Sequence, residues 1–343
     1  MTLFIAKHRL AQLLFIFFST VLGFGCSSTP EIMQVGSNVS SAYIAPEDYS
    51  NHRAQQQFFQ TKAGRIAYTD HGDGPALIML HGVPSSSWMY RKMIAPLQST
   101  HRVIAIDLLG YGSSDKPKID TDDVTALNNT YGYKSQADYV EALINSLGIK
   151  QFNLLFHDMG GLVAWEINKR SINQPGRIQN LFILNTIINQ KGFDHPRMVP
   201  GFISKQFSKS YSNEMTSSRV LRTTFINMGF SPNRRLSEAE CEGYVLPLHE
   251  GSDRALYQFF TGFDQQFFNE LDTNISSLKN YYGNAYVFWG DKDKVLTSHQ
   301  LEALYPNLNL PIGNRFFYGN NGHFLAEEVP DSIVKIIQRS RNY

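Results

Sequence analysis

The sequence predicts an α/β fold in which a mostly parallel sheet is covered by helices on both faces. Six short apolar runs each end in turn residues, and segments with helical spacing separate several of them; the runs are Ala76–Leu80, Val103–Ile106, Phe152–Phe156, Ile178–Leu184, Ala285–Trp289 and Arg315–Phe317. Strands that are apolar on both sides are typical of a parallel sheet between two helical layers. The 343 residues, 42% of them hydrophobic, are enough for a large core.

The first residues have the composition of a secretory signal. Basic residues at Lys7–Arg9 precede the apolar run 10–24, and the run ends in Val-Leu-Gly-Phe-Gly-Cys-Ser-Ser. A basic stretch, a short apolar run and small residues are the parts of a signal peptide. This end resembles a bacterial lipoprotein signal, so we expect a signal peptide over 1–25 and a lipid on Cys26. An ordinary signal peptide or an uncleaved anchor is the alternative.

A polar segment follows the predicted lipidation site. Residues 26–57 are rich in Ser, Asn, Gln and Pro and show no sustained apolar period. Such a composition favours a flexible tether. We therefore expect a protein of the bacterial cell envelope that is anchored to a membrane by its N-terminal lipid. By the same resemblance, the serine after the cysteine favours the outer membrane.

Charge and cysteine content make several classes of protein improbable. The net charge is +1, which gives no support for nucleic acid as a partner. Cys26 and Cys241 are the only cysteines, so no disulfide framework is expected, and the Cys and His spacings of zinc sites are absent. We expect neither a metal nor a cofactor, and we interpret Cys241 as a small buried hydrophobe.

Local patterns place further elements along the chain. Gln57–Asp70 alternates in polarity around Lys62-Ala63-Gly64 and predicts two antiparallel strands before the first parallel one. Helical spacing predicts helices over Ser135–Leu147 and Asp331–Arg339.

One interval breaks the alternation of strands and helices. It holds aromatic residues and helical pieces such as Glu238–Leu246 and Asp253–Phe260. An insertion at this place lies over the carboxyl ends of the strands, where open α/β sheets bind ligands. We therefore expect a core formed by 58–185 and 284–343, and a helical cap over 186–283. A structural layer with no contact to the site is the alternative.

The stretch Leu154–Trp165, with the sequence LLFHDMGGLVAW, predicts a buried strand, a very tight turn and the start of a helix. Gly160 and Gly161 allow the sharp bend and let the helix pack close to the strand. The turn has the pattern of a nucleophile elbow, with Asp158 at the apex. The alternative is that Asp158 only caps the following helix.

An acid and a base follow the elbow in the order that a nucleophile–acid–histidine triad needs. Asp291 and Asp293 come after the strand 285–289, and His323 comes after the last strand. The carboxylate of Asp158 is ionised at neutral pH, so it can displace a leaving group at an sp³ carbon without a base. The resulting ester then needs a water molecule that a histidine activates.

These motifs together resemble the α/β-hydrolase superfamily, specifically its Asp-nucleophile branch of epoxide hydrolases and haloalkane dehalogenases. The resemblance covers the chain from about Phe58 onward. The matching motifs are His81-Gly82-Val83-Pro84, Asp107-Leu-Leu-Gly-Tyr-Gly-Ser-Ser-Asp-Lys-Pro117, His157-Asp158-Met159-Gly160-Gly161, Gly290-Asp-Lys-Asp293 and Gly322-His323. It implies the α/β-hydrolase fold with an inserted cap.

The resemblance also assigns roles to residues. It implies that Asp158 is the nucleophile, that His323 activates water against the ester, and that Asp293 orients His323. Asp291 is the less favoured acid. The backbone N–H groups of Val83 and Met159 are expected to form the oxyanion hole. The bond between Val83 and its following proline is expected to be cis.

The leaving group decides the substrate class. Haloalkane dehalogenases hold the departing halide with indole N–H groups, one of them directly after the nucleophile, or with an Asn in the first motif. Here these positions hold Met159 and Val83, and all three tryptophans, Trp88, Trp165 and Trp289, lie outside the predicted cap. The halide site of the family is therefore expected to be missing.

Epoxide hydrolases instead donate a hydrogen bond from cap tyrosines to the opening oxygen, and a phenol of pKa near 10 suits a developing alkoxide. The predicted cap holds Tyr211, Tyr244 and Tyr257, and Tyr257 is the preferred donor by its spacing. Each of them could also serve packing alone. Trp88 is a further candidate for contact with the substrate.

The sequence therefore predicts a lipid-anchored hydrolase that opens an epoxide through an ester on Asp158. Its partners are a small apolar organic substrate, water and, through the lipid, a membrane. A haloalkane dehalogenase is the first alternative. A non-catalytic binding lipoprotein on a hydrolase fold is the second, because a fold alone does not decide function.

Overall fold

Eight strands form one mixed sheet in the computed structural model, which describes residues 42–190, 229–231, 234–263 and 265–340. In chain order they are β1 Gln57–Gln60, β2 Arg65–His71, β3 Ala76–Leu80, β4 Arg102–Ile106, β5 Phe152–Asp158, β6 Ile178–Thr186, β7 Asn284–Gly290 and β8 Arg315–Tyr318. Their order across the sheet is β1-β2-β4-β3-β5-β6-β7-β8.

The sheet is parallel except at one end. β2 pairs antiparallel with β1 and with β4, and the five other pairs are parallel. The central strands β3 and β5 are buried along their whole length, which is why their sequences are apolar on both sides. Each of the six predicted apolar runs lies in a strand, and the hairpin forms β1 and β2, so the predicted sheet is confirmed.

Helices pack around this sheet in two groups. One group contains α3, α4, α5 and α8, and the other contains α2, α10 and α11. The helices are α1 Tyr49–Arg53, α2 Arg91–Leu97, α3 Val124–Tyr131, α4 Tyr133–Ser146, α5 Gly160–Arg170, α6 Glu238–His249, α7 Asp253–Thr261, α8 Gln265–Ser276, α9 Leu301–Leu304, α10 Leu325–Glu328 and α11 Pro330–Arg339. Short 3-10 turns lie at Ser87–Tyr90, Ser277–Asn280, Ser298–Gln300 and Ile312–Asn314.

The end of the predicted tether differs from expectation. Residues 42–56 are packed on the domain: Tyr43 is buried, and so is His52 on α1, the helix that precedes β1. The Tyr43 hydroxyl lies 2.9 Å from His52 Nδ1, and His52 Nε2 lies 2.9 Å from Ser87 Oγ. The prediction of a flexible tether is therefore wrong for these residues. The polar composition of these residues predicted a tether because the sequence does not show that their side chains form buried hydrogen bonds. These bonds compensate the free-energy cost of burying His52.

Other N-terminal predictions fall outside the described residues. The signal peptide over 1–25 and the lipid on Cys26 are among them, and they stay predictions. Within the described ranges, no helix is long and apolar enough to cross a bilayer.

Helices also fill the described part of the predicted cap. α6, α7 and α8 lie between β6 and β7 in the sequence. α6 begins with a capping box, in which the Ser237 side chain accepts from the Glu240 N–H and the Glu240 carboxylate accepts from the Ser237 N–H. α7 packs on α3, and α8 packs on α5. The remainder of the predicted cap, including Tyr211, lies outside the described residues.

Helix α5 approaches the sheet so closely that its first turn has no room for side chains. A Cβ atom on Gly160 would overlap the backbone oxygen of Leu80, and one on Gly161 would overlap the hydroxyl of Thr186. Only glycine therefore lets the helix start directly above β3 and β6. This close approach fixes where β5 ends and where the turn to α5 points.

We predict that Gly160→Ala lowers the free energy of unfolding by about 1–3 kcal/mol, because the added methyl group forces α5 away from the backbone of β3. Urea unfolding measures this difference. Gly313→Ala is the matched control, since no atom lies within 4 Å of an added Cβ there. Equal unfolding midpoints for the two variants would contradict the account of the close approach.

Candidate active site

Asp158 lies at the apex of the turn between β5 and α5. Its φ is 51°, a left-handed value that is uncommon for residues other than glycine. The Thr186 hydroxyl donates a 2.8 Å hydrogen bond to the Asp158 backbone oxygen and so helps to hold this conformation. The sharp turn lifts the carboxylate out of the strand, as expected for an elbow.

The carboxylate of Asp158 is buried and bound on two sides. The backbone N–H of Val83 donates to Oδ1 at 2.8 Å, and the backbone N–H of Met159 donates to the same carboxylate. Oδ2 lies 3.7 Å from Nε2 of His323. Burial raises the pKa of Asp158, while His323 and the two N–H groups act in the opposite direction. One oxygen is thus held by backbone donors and the other faces an imidazole.

His323 is oriented by Asp293. Nδ1 of His323 lies 2.8 Å from Oδ2 of Asp293, and the other oxygen of Asp293 accepts from the backbone N–H groups of Val295 and Leu296 at 2.7 and 2.9 Å. Because a carboxylate accepts, the proton of the neutral imidazole lies on Nδ1 and the Nε2 lone pair faces Asp158. This is the tautomer that a general base at Nε2 needs.

The choice between the two predicted acids follows from burial. Asp293 is buried against His323, whereas Asp291 is exposed. The amide of Asn185, at the end of β6, donates a 2.6 Å hydrogen bond to Oδ2 of Asp293. Asn185 therefore supports the acid.

Three acidic groups act on the pKa of His323. Burial lowers it, but the charges of Asp293, Asp158 and Glu328 raise it, and together they outweigh burial. The neighbouring ring of His157 lies 4.4 Å away between centroids. Burial and the charge of His323 lower the pKa of His157 well below its ordinary value, so His157 stays neutral.

The chain matches a known family of proteins that is consistent with this fold and site. A model of the alpha/beta hydrolase fold family matches residues 75–330 of the chain. The chain belongs to this family. The predicted α/β-hydrolase fold is thereby confirmed.

Relatives of this hydrolase have different names. A cis-3-alkyl-4-alkyloxetan-2-one decarboxylase of Shewanella oneidensis is 25% identical over 299 residues, 83% of this chain and 87% of the relative. A haloalkane dehalogenase of Mycolicibacterium paratuberculosis is 30% identical over 198 residues, 57% of this chain and 59% of the relative. A solved haloalkane dehalogenase of Bradyrhizobium elkani has a TM-score of 0.62 at 20% identity, over 83% of this chain and 96% of that one, which shows the shared fold.

The loop that carries His323 in this hydrolase is held from three directions. The backbone N–H of His323 donates to the Gly229 oxygen of the cap at 2.9 Å. The backbone oxygen of His323 accepts from Nε2 of His157 at 2.9 Å. The Glu328 carboxylate accepts from the Gly322 N–H at 2.9 Å and from the Ser231 N–H at 3.3 Å. The sequence did not predict these supports, although His157 is part of the elbow motif and Glu328 follows the Gly322-His323 motif closely.

The three indole N–H groups of the hydrolase all have backbone partners. Trp88 donates to the backbone oxygen of Glu240 at 3.1 Å. Trp165 donates to that of Ile187 at 2.8 Å, and Trp289 donates to that of Leu296 at 3.2 Å. An indole that already donates to a buried carbonyl does not hold a leaving halide. The geometry therefore agrees with the expectation that the indole halide site is missing.

A buried group of charges joins the core to the cap. Glu327 on α10 has no exposed side-chain surface and binds Arg91 and Lys92 of α2; Lys92 Nζ lies 2.8 Å from it. Glu240 on α6 binds the same two cations at 2.9 and 2.6 Å. The Tyr244 hydroxyl donates to Glu327 at 2.6 Å. We call these five residues the core–cap ion cluster.

Two of the predicted substrate contacts belong to this cluster and its surroundings. The Tyr244 hydroxyl is committed to Glu327, and the Trp88 ring is buried with the guanidinium of Arg91 4.1 Å from its centroid. The Tyr244 hydroxyl thus satisfies a buried carboxylate, and the Trp88 ring covers a buried guanidinium. The structure does not support the prediction that Tyr244 and Trp88 contact a substrate. Periodicity and residue type could not show this, because the partners come from distant elements.

The other predicted cap contacts stay predictions. Tyr257 lies on α7 and is largely buried, and burial together with the charge of Asp122 raises its pKa. Tyr211 lies outside the described residues.

We predict that Asp293→Asn lowers the pKa of His323, because the variant removes a carboxylate charge that stabilises the imidazolium. An NMR titration of the His323 ring measures it, and the ring should lose its proton at a lower pH than in the native protein. The exposed carboxyl of Asp291 offers the control Asp291→Asn, which should leave the titration nearly unchanged. Equal shifts in both variants would mean that Asp293 is not the partner of the imidazole.

We predict that Glu327→Gln lowers the free energy of unfolding at pH 7 by about 3–5 kcal/mol, because it leaves buried Arg91 with one carboxylate fewer. Urea unfolding measures it, and Glu242→Gln, at an exposed position of α6, is the control. A native-like midpoint for Glu327→Gln would show that the ion cluster does not stabilise the fold.

The same cluster predicts a loss of stability in acid. Burial raises the pKa of Glu240, but hydrogen bonds from Lys92 and the Ser237 backbone outweigh it and lower the value from 4.5 to about 2. The pKa of Glu327 is also lowered, against its burial, by Arg91 and Lys92. Carboxyl groups with depressed folded pKa values stabilise the protein above their unfolded pKa, so this contribution should disappear as the pH falls below about 4.5.

Proposed function

We propose that this hydrolase opens a small apolar epoxide through a covalent ester on Asp158, and that water activated by His323 hydrolyses the ester. The observation that carries the proposal is the placement of the Asp158 carboxylate. One of its oxygens accepts from the Val83 N–H, and the other faces Nε2 of His323, which Asp293 orients. A carboxylate in this position is a nucleophile that needs no activating base.

In the first step, Oδ2 of Asp158 forms a bond to a ring carbon, and the bond from that carbon to the ring oxygen breaks. The ring oxygen leaves as an alkoxide and takes a proton from a donor in the cap, for which Tyr257 is our candidate. The product is a hydroxyalkyl ester of Asp158. Relief of ring strain favours this step, and the proton donor stabilises the basic alkoxide as it leaves.

In the second step, Nε2 of His323 takes a proton from water, and the hydroxide adds to the carboxyl carbon of Asp158. The negative charge develops on Oδ1, where the N–H groups of Val83 and Met159 stabilise it. Collapse expels the diol oxygen, which takes the proton from His323. Asp158 is left as a carboxylic acid, and its proton restores the donor of the first step.

A second candidate is another strained oxygen ring. The Shewanella oneidensis relative, which aligns with 83% of this chain, is named for an oxetan-2-one, a four-membered cyclic ester. Attack by Asp158 on such a ring would also release an oxygen leaving group. Dehalogenation is supported by the name of the Mycolicibacterium paratuberculosis relative but not by the indole contacts described above.

Intact-mass spectrometry of a His323→Gln variant tests the proposal. The variant is incubated separately with small epoxides, β-lactones and haloalkanes. Without the base, the ester should accumulate, and an epoxide should add a hydroxyalkyl mass that maps to the peptide of Asp158. The control is the Asp158→Asn, His323→Gln double variant, which should stay unmodified.

The other outcomes are equally clear. A plain alkyl adduct from a haloalkane alone would replace the epoxide assignment by dehalogenation, and an adduct from the β-lactones alone would favour the second candidate. No adduct from any class would overturn the nucleophilic role of Asp158.

A further inference from the structure

A cavity of about 240 Å³ lies beside the elbow. Its walls come from the first turns of α5, from α3 and α4, and from the α7–α8 segment. We call it the arm cavity. Among its lining residues is Met159, whose backbone N–H donates to the Asp158 carboxylate. The residue that follows the proposed nucleophile therefore forms part of the cavity wall.

The inner end of the arm cavity is apolar. It is lined by buried side chains of the elbow helix and of the α7–α8 segment, namely Met159, Leu162, Val163, Phe259 and Phe263. The Tyr111 hydroxyl lies 3.8 Å from the Met159 sulfur and orients that side chain. The buried Gln136 also lines the cavity, but its amide is bonded to the backbone N–H and oxygen of Leu109. The inner end therefore suits a hydrocarbon.

The outer end of the arm cavity is polar, and its polar side chains bind one another. The Tyr133 hydroxyl donates to Glu270 at 2.8 Å, and Lys134 forms a half-exposed ion pair with the same carboxylate. Gln258 donates to Asn128 at 3.0 Å. These groups satisfy one another and lie toward solvent. The lining therefore changes from apolar side chains at the inner end, which includes Met159, to polar side chains at the rim that faces solvent.

We propose that the arm cavity binds an unbranched alkyl arm on the epoxide ring, so that the substrates are terminal epoxides with a straight alkyl chain. This inference rests on the proposed function. At ~30 Å³ for a group the size of a water or a methylene, the cavity has room for an arm of at most about eight carbons. Leu162 of α5 and Phe267 of α8 both line it, so a change in the size of either side chain changes the space for the arm.

The test is the chain-length profile of kcat/KM for 1,2-epoxyalkanes, from propylene oxide to 1,2-epoxydodecane. In the native protein kcat/KM should rise up to about four-fold per added methylene, which corresponds to ~0.8 kcal/mol, and should level off near 1,2-epoxydecane. Leu162→Phe should lower kcat/KM for 1,2-epoxydecane about ten-fold and leave propylene oxide within about two-fold. Phe267→Ala should move the plateau to longer arms.

The matched control is Asp272→Ala, at an exposed position of α8 that does not line the cavity. It should keep the native profile. A flat native profile would overturn the proposal, as would an equal loss for all chain lengths in Leu162→Phe.

A binding measurement separates this inference from the proposed function. Straight-chain alkanols from propanol to decanol are added to the native protein, and the unfolding temperature is measured. A ligand that binds only the folded state raises it. The rise should grow with chain length in the native protein and much less in Leu162→Phe. If no epoxide is turned over but this pattern holds, the arm cavity stands and the reaction is wrong. If the two proteins respond alike, the arm cavity is wrong.

Discussion

The close approach of helix α5 to the sheet is the constraint on which the site depends. It is possible only because Gly160 and Gly161 carry no side chain, and it forces Asp158 into a left-handed conformation. The same turn directs the backbone N–H of Met159 at the carboxylate that precedes it. A buried negative charge is costly, and here backbone donors and an imidazole compensate it. Backbone strain and burial thus coincide at the residue that we propose as the nucleophile.

The position of the His323 imidazole is linked to the position of the cap. Glu327 and Glu328 follow His323 closely in the sequence and contact different parts of the protein. Glu327 is buried among cations of the core and meets Tyr244 of the cap, while Glu328 holds the backbone beside His323 and that of Ser231. The position of the cap and the position of the imidazole are therefore fixed by neighbouring residues. A cap that docks differently would displace the base.

Local sequence patterns predicted what local forces decide. The apolar runs gave the strands because burial on both faces leaves no room for polar residues, and the glycine pair after Asp158 marked the elbow. From the sequence, Asp293 could be chosen over Asp291 only by the family resemblance. The difference between them, that Asp293 is buried and Asp291 exposed, is visible only in the structure. The hydrogen bonds of Trp88 and Tyr244 could not be predicted, because their acceptors lie more than eighty residues away in the chain. The packing of residues 42–56 was hidden for the same reason: its hydrogen bonds join His52 to Ser87.

The central claim is that the oxygen first delivered to the substrate comes from Asp158 and not directly from water. A single turnover in H₂¹⁸O, with enzyme in excess over an epoxide, measures this. The account predicts a diol without ¹⁸O and one ¹⁸O atom in the carboxylate of Asp158, found by mass spectrometry of its peptide. A diol that carries ¹⁸O after the first turnover, with an unlabelled Asp158, would show direct attack by water and would contradict the account.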